Sequence, residues 1–481
     1  MSDTLFLDLG LISVDMDTII KLLKQDVDDD WFQDPLFYED RLNKEVITKY
    51  FFDNIQNNHG EYSAQDHLIF NVPKSPEAYR YSLETSFFDR VAYFAFALPL
   101  IQAFDEQLSR RVLSFRLNPE FVSGENKKFL YLHGTEQWAK FEGFTTCDAK
   151  GKYVLTTDIQ NYYENIDIEL LKGTLFEHLE HDQSDGSQKA KLRHCINILI
   201  VCLKKWAFRP TRGLPQNRDV SSFLGNVYLS PLDYYLEEKK YDFYRYSDDI
   251  RVLCDSENHA RFVFKEICIK LRSLNLSCNP SKTKIVKGDV YWNEKSMYSV
   301  PLSRIETLLK TKRKPHVYTA YSEIKQKAEK LLQDKELKSP EFRYVFHRLT
   351  RLARCREITL PNNYLSQIGK DAATLLNDAP QSDILCKFLS AIFHDQDTLL
   401  IVSEYLMNSE ASIFEYQNYM IWKMLVCSDF STPELITHAQ NIILSSMSLS
   451  PDIAGALLYR SFQKICNTAS EIYSSQQAWI I

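Results

Sequence analysis

A chain of 481 residues is longer than one hydrophobic core normally serves and suits two or three domains. Hydrophobic residues make up 44% and charged residues 25%, an ordinary globular balance, while ten cysteines scattered from Cys147 to Cys466 without a CxxC pair argue against a zinc ribbon or a disulfide framework. The formal charge of -7 is local: residues 1–70 hold 15 acids against 5 bases, which leaves the rest of the chain at +3 and compatible with a polyanionic partner.

No basic leader follows Met1 and no uninterrupted apolar run approaches the roughly 20 residues of a membrane span, so the expected home is a reducing cytoplasm without membrane contact. Residues 15–57 alternate acids with Ile, Leu, Phe and Trp at helical spacing, which predicts helices wrapped on the outside of the next domain. Their acids read as a solvated face or as a surface that docks a basic partner or another subunit. Ser86–Leu117 reads as a long amphipathic helix, Tyr153–Ile159 as a buried strand ending in Asp158, and Asp167–Leu179 as a helix capped by Asp167. A polar loop over His181–Gln188 precedes a helix to about Lys204, and Phe243–Cys254 alternates like a tight hairpin around Ser-Asp-Asp. Beyond Pro301 the pattern is helical to the end, broken at Pro315, Pro340, Pro361, Pro380, Pro433 and Pro451. That predicts stacked helix pairs, solenoid-like in spacing but without a clear repeated motif. The spans are 1–67 for an acidic extension, 68–300 for a central α+β domain and 301–481 for an all-α domain.

Carboxylates carry the chemistry. Thr157-Asp158-Ile159 closes an apolar strand, and 90 residues later Tyr246-Ser247-Asp248-Asp249 sets two adjacent acids at a hairpin turn. Brought to one sheet edge, Asp158, Asp248 and Asp249 would repel one another and suit hard divalent ions. Between them lie Gly213-Leu214-Pro215-Gln216 and Ser221-Ser222-Phe223-Leu224-Gly225-Asn226-Val227-Tyr228-Leu229; after them comes Asn279-Pro280-Ser281-Lys282-Thr283.

In order and spacing these four motifs resemble reverse transcriptases over residues 68–300, most of all the bacterial abortive-infection and defence-associated (antiphage) group. The resemblance implies fingers and palm of a right-hand polymerase, ahead of the helical domain. It implies an RNA-directed or template-independent DNA polymerase that joins dNTPs with two Mg²⁺ ions, Mn²⁺ being the usual substitute. Its partners would be an RNA template, including a dedicated noncoding RNA, and a DNA product. Enzymes of this group also assemble as homo-oligomers. Mobility, as for a retron or group II intron enzyme, and a catalytically silent nucleic-acid-binding scaffold are the alternative readings.

By the same resemblance Asp158, Asp248 and Asp249 are the metal ligands, with the Ile159 carbonyl completing the shell. Lys74 and Arg80 grip the triphosphate, joined by the backbone amides of Asn161 and Tyr162. Tyr163 packs under the sugar and excludes a 2′-hydroxyl, and Gln216 sits beside the nucleotide. Asn217 stands where the family usually has Gly. Lys282 reads as a general acid whose pKa crowding lowers, or equally as a phosphate-facing or surface lysine. Two basic clusters, Lys310, Lys312, Arg313 and Lys314, and Arg348, Arg351 and Arg354, would track a nucleic-acid backbone or simply face solvent. Trp138 and Phe141 read as core, and Tyr405, Tyr416, Tyr419 and Tyr459 as packing residues, with a priming hydroxyl as the other use.

Overall fold

The computed structural model describes residues 6–8, 13–28, 30–31, 38, 41–75, 78–124, 129–337, 339–354, 365–376, 381–392, 396–428, 430–445 and 450–462. Its contacts divide the chain into two units, residues 1–69 with 82–294 and residues 70–81 with 295–480. These are not the three spans expected from sequence: the acidic amino-terminal segment shares the first unit, and part of the fingers hairpin groups with the carboxy-terminal helices.

In the first unit, β1 (Phe6–Asp8) and β2 (Ser13–Asp15) pair antiparallel ahead of α1 (Met16–Asp28) and α2 (Lys44–Asn57). Met16, Ile19, Leu22 and Leu23 of α1 and Ile47 and Phe51 of α2 are buried in the same core as the following domain. These helices join that core through one apolar stripe, α2 burying only Ile47 and Phe51, and so pack on the outside of the body as the spacing predicts. The hairpin of β3 (Leu68–Ser75) and β4 (Ala78–Glu84) leads to α3 (Phe87–Phe104).

The expected amphipathic helix over Ser86–Leu117 is instead shorter and buried on every face, with Ser86 as its cap. A helix apolar all round belongs inside a protein or in a bilayer. Phe87–Gln107 is long and apolar enough to cross a membrane, the one such stretch among the described residues, yet 83% of its apolar window is already buried within the fold.

After α4 (Pro119–Ser123) and α5 (Gly134–Cys147), β5 (Tyr153–Asp158) enters a four-stranded sheet with β6 (Asp242–Tyr246), β7 (Asp249–Cys254) and β8 (Lys284–Lys287), in the order β6-β7-β5-β8. Its ladders are antiparallel. Between β5 and β6 run α6 (Tyr162–Asn165), α7 (Ile168–His181), α8 (Gly186–Trp206) and α9 (Asp219–Glu238), and α10 (Glu257–Ser273) follows β7. Asp167 caps α7 as expected, accepting the Glu169 and Leu170 amides. Helix α8 starts within the segment read as loop because Asp185 supplies its own cap to the Gln188 amide.

Helix α11 (Gly288–Lys310) starts in the first unit, ahead of the boundary expected near residue 301, and ends in the second. There follow α12 (Lys314–Gln333), α13 (Pro340–Ala353), α14 (Ser366–Thr374), α15 (Ser382–Leu389), α16 (Gln396–Met407), α17 (Glu415–Cys427), α18 (Pro433–Ser445) and α19 (Pro451–Phe462). Helices two apart in sequence pack together along two rows, α13, α15, α17, α19 and α12, α14, α16, α18, with cross-contacts between neighbours. This is the stacking expected of a solenoid. Pro315, Pro340, Pro433 and Pro451 mark helix starts, where a missing N–H costs nothing. Pro361 and Pro380 lie outside the described residues.

Candidate active site

Strand β5 delivers Asp158 to the edge of the sheet directly opposite Asp249 of β7. The two residues Ser247 and Asp248 form the turn between β6 and β7, with Ser247 at φ 54. The Ile159 amide donates to the Asp248 carbonyl at 3.2 Å, so the three acidic residues meet on adjoining backbone. Burial, and then the negative charges of Asp248 and Asp158, push the Asp249 carboxyl up to about 6, against the opposing pull of Lys282 and Arg251. Such crowding is relieved by a cation.

Two residues from the Asn279–Thr283 turn already address Asp158. Asn279 Nδ2 donates to Oδ1 at 3.3 Å, and Lys282 Nζ ion-pairs with Oδ2 at 2.6 Å. Among the described residues no three Asp, Glu, His or Cys side chains form a ready-made metal cage, consistent with one Asp158 oxygen being committed to Lys282. The donor set nonetheless fits a hard divalent ion: carboxylates alone, at one edge, repelling one another. Burial alone would pull Lys282 down, but the hydrogen bond and charge of Asp158, with the charges of Asp249 and Asp248, outweigh it and hold the ammonium above the usual lysine value. The expected lowering by crowding is thus reversed, because the crowd is anionic. The Ile159 carbonyl is not used by the bridge to Cys278, whose bonds run from the Gln160 amide to Ser277 and from the Asn279 amide to Asp158.

A layer of support that the motifs alone did not reveal lies under the hairpin turn. Arg245, fully buried, donates through Nε and Nη2 to Asp233 at 2.9 and 2.6 Å, and through Nη1 to Asn226 Oδ1 at 2.9 Å and the Ser247 carbonyl at 2.8 Å. Asn226 Nδ2 donates to the Ser114 carbonyl, and Ser114 Oγ accepts the Ser247 amide at 2.7 Å. Both backbone groups of Ser247 are thereby fixed. The visible signals were Asn226 and Arg245 inside the motifs and a lone acid, Asp233, on the apolar face of α9.

On the nucleotide side, Tyr163 is partly buried, with its Oη 3.5 Å from both Ser222 Oγ and Ser247 Oγ; burial raises its phenol and keeps it protonated. Its neighbour Tyr162 turns inward and donates to the Gly225 carbonyl at 2.5 Å. Asn161, at φ 46, starts α6. The Gly213–Gln216 loop is stitched to this turn: the Leu214 amide donates to Tyr163, the Gly213 amide to Ile166, and Gln216 Nε2 reaches Glu164 Oε1 at 3.5 Å. Asn217 sits at φ 55. That left-handed conformation accounts for the Gly usual in the family, and Asn is among the few side-chain residues that adopt it at little cost.

Trp138 is partly exposed, not core, and meets the Tyr246 ring edge-on at 5.0 Å; Phe141 is buried as expected. Lys74 and Arg80 are exposed on the β3–β4 hairpin and belong to the second unit. Within that unit the two basic clusters come together: Lys310, Lys312, Arg348 and Arg351 line one cavity of about 320 Å³, where Arg348 pairs with Glu306 at 2.6 Å. The hydroxyls of Tyr405 and Tyr459 are donated to Gln417 and the Phe430 carbonyl, as packing residues would do.

Comparison with known proteins adds the family. Similar solved structures include telomerase from Candida albicans in complex with a fragment of telomeric RNA, at 13% identity and TM-score 0.33 over 91% of this chain and 70% of that one, and apo telomerase from Candida tropicalis, at 11% and 0.34 over 90% and 74%. At these scores neither likeness supports a conclusion. No curated protein matches the chain. The family described as reverse transcriptase (RNA-dependent DNA polymerase) matches residues 99–344, just over half of the chain and a span that holds Asp158, the Asp248–Asp249 turn and Lys282. The chain belongs to the reverse transcriptase family and is a nucleotidyltransferase of the RNA-directed DNA polymerase type.

Proposed function

We propose that this reverse transcriptase extends a 3′-hydroxyl with dNTPs using two Mg²⁺ ions held by Asp158, Asp248 and Asp249. The observation that carries the reading is the register that sets Asp158 opposite Asp249 beside the Asp248 turn. When bound, the ions would activate the attacking hydroxyl and neutralise the leaving pyrophosphate. Lys282, kept protonated by the same carboxylates, would meet the pyrophosphate as a cation, the phosphate-facing reading rather than the general-acid one. By family resemblance Tyr163, whose Oη lies 3.5 Å from Ser222 Oγ and Ser247 Oγ, would pack under a deoxyribose and exclude a 2′-hydroxyl. By family resemblance, the Asn161 and Tyr162 amides would take the triphosphate and Gln216 would flank the nucleotide; the same resemblance gives Lys74 and Arg80 a phosphate-binding role.

The wording of the motifs and the stacked carboxy-terminal helices support a place in bacterial antiviral defence, in the cytoplasm. Synthesis then either copies a noncoding RNA or proceeds without a template from a protein hydroxyl. Incubating purified protein with labelled dNTPs and Mg²⁺, then sequencing the DNA and testing for covalent attachment, separates these cases. Incorporation lost in the double substitution Asp248→Asn, Asp249→Asn is expected; incorporation retained there would refute the assignment.

A further inference from the structure

The second unit contains a cavity of about 320 Å³ in which bases from separate segments converge. Lys310 ends α11, Lys312 lies in the turn after it, and Arg348 and Arg351 stand about one helical turn apart on α13. The rest of the lining is largely apolar, with Leu309, Val317 and Leu352, so the local dielectric is low and repulsion between the like charges is strengthened. Bases on a solvated helix face spread outward. These four line one concavity, which concentrates their field.

Among the described residues one carboxylate in the lining, Glu306, answers these four cations. Its Oε2 is taken by Arg348 Nη2 at 2.6 Å and by the Tyr344 hydroxyl at 3.3 Å. Arg348 also lies over the Tyr344 ring, 5.1 Å from its centre, so two contacts hold its guanidinium in place. Its buried Nε makes no hydrogen bond among the described residues. Lys310, Lys312 and Arg351 are exposed and, among the described residues, have no carboxylate partner. The imbalance reaches the neighbouring His347: burial, and then the charges of Arg348, Arg351 and Lys387, hold its imidazole below the usual value against the pull of Glu306.

We infer that this cavity is a second phosphate site, which holds the linked phosphates of pyrophosphate or of a nucleoside triphosphate. A polyvalent anion is needed, because a single carboxylate or chloride would leave most of the cationic charge unbalanced. The guanidiniums of Arg348 and Arg351 present forked donors that match phosphate oxygens, and the two lysines add point charges. The volume is at the small end for a ligand site, which suits a phosphate chain and leaves sugar and base outside. A surface that tracks a nucleic-acid strand is instead a long basic groove. The site belongs to the second unit, needs no divalent ion and does not rest on the polymerase reading.

The test is isothermal titration calorimetry on the full chain in EDTA, which removes metal-dependent binding at the acidic turn. Pyrophosphate and dATP should bind wild type, and deoxyadenosine should not. Lys312→Ala and Arg351→Ala, single changes of exposed side chains on different segments, should each weaken pyrophosphate about tenfold, the value of one charge-assisted hydrogen bond. Pyrophosphate binding retained at wild-type strength by both variants overturns the inference. Absence of pyrophosphate binding by wild type, an arm that needs no variant, overturns it as well, as does equal binding of deoxyadenosine and dATP. Whichever of pyrophosphate and dATP binds wild type more tightly names the source of the phosphates. A single-stranded oligonucleotide with a 5′-hydroxyl completes the series. If it alone binds, and both variants weaken it, the cluster follows a strand and the phosphate-chain site is refuted; if pyrophosphate binds undisturbed in its presence, the site is supported.

Discussion

Arg245 ties the acidic turn to the core. Its guanidinium is buried with Asp233 and also grips the Ser247 carbonyl, so it is at once one half of a buried ion pair and a clamp on the residue beside Asp248. Removing one partner of such a pair leaves an uncompensated charge, typically at about 3–5 kcal/mol. Arg245→Leu should therefore lower the melting temperature sharply. Combining it with Asp233→Leu should recover much of the stability but little of the dNTP incorporation, because the clamp stays lost; recovery of both would show Arg245 to be structural only.

His178 gives a pH signature. Its Nδ1 and Nε2 face Gln107 Oε1 and Ser230 Oγ, and burial, aided by His181, lowers it to about 4 from an ordinary value of 6.5. A depressed pKa means that the neutral ring stabilises the fold fully above pH 6.5 and that this contribution, about 3 kcal/mol, is lost as pH falls through 4. Thermal denaturation at pH 7 and pH 5 should show a larger drop for wild type than for His178→Gln; equal drops would contradict the assignment. Of the residues at the site, the three aspartates were legible because chemistry restricts that role to carboxylates. Ser114 was not, since a buried polar residue looks like a surface one until its partners are known.

Among elements, β5 and the β6–β7 hairpin were readable because alternation and a tight turn fix both existence and register. Helices α1 and α2 were readable from the helical spacing of their apolar residues, and the stripe of each enters the core shared with the following domain. In α3 the charged Asp89 and Arg90 are both buried: Arg90 pairs with Asp30 and Glu84, and Asp89 accepts from Tyr62 and Trp206. Helix α9 meets α6 at Gly225, where an added Cβ would lie 3.0 Å from Tyr162 Oη and 3.2 Å from its ring. Gly225→Ala should displace that ring at a cost of about 1–3 kcal/mol and disturb the adjoining Tyr163. Loosened discrimination against ribonucleotides, together with a lower melting temperature, is the expected result. Wild-type values for both would mean that α6 does not depend on this contact.

The chain forms two compact units, and among the described residues one continuous apolar cluster of the first runs from the acidic helices to α10. In the second, Trp422 is fully buried, donates to Asp452 Oδ1 at 2.8 Å and packs against Gly455 between α17 and α19. Calorimetry should resolve two transitions, with Trp422→Ala weakening one by about 3–5 kcal/mol and leaving the other unmoved; a single transition shifting as a whole would show that the units melt together. The helical pattern beyond Pro301 lies close to the change of unit within α11, whereas the return of residues 70–81 to the second unit was hidden because it depends on long-range contacts.

Asp158, Asp248 and Asp249 would share divalent ions once Lys282 releases Asp158. Anomalous diffraction from crystals grown with Mn²⁺ and a non-hydrolysable dNTP reads this directly. Manganese density among the three carboxylates, with Lys282 Nζ moved away from Asp158 Oδ2, is the predicted result. Density elsewhere, with the 2.6 Å pair between Lys282 and Asp158 intact, would contradict it.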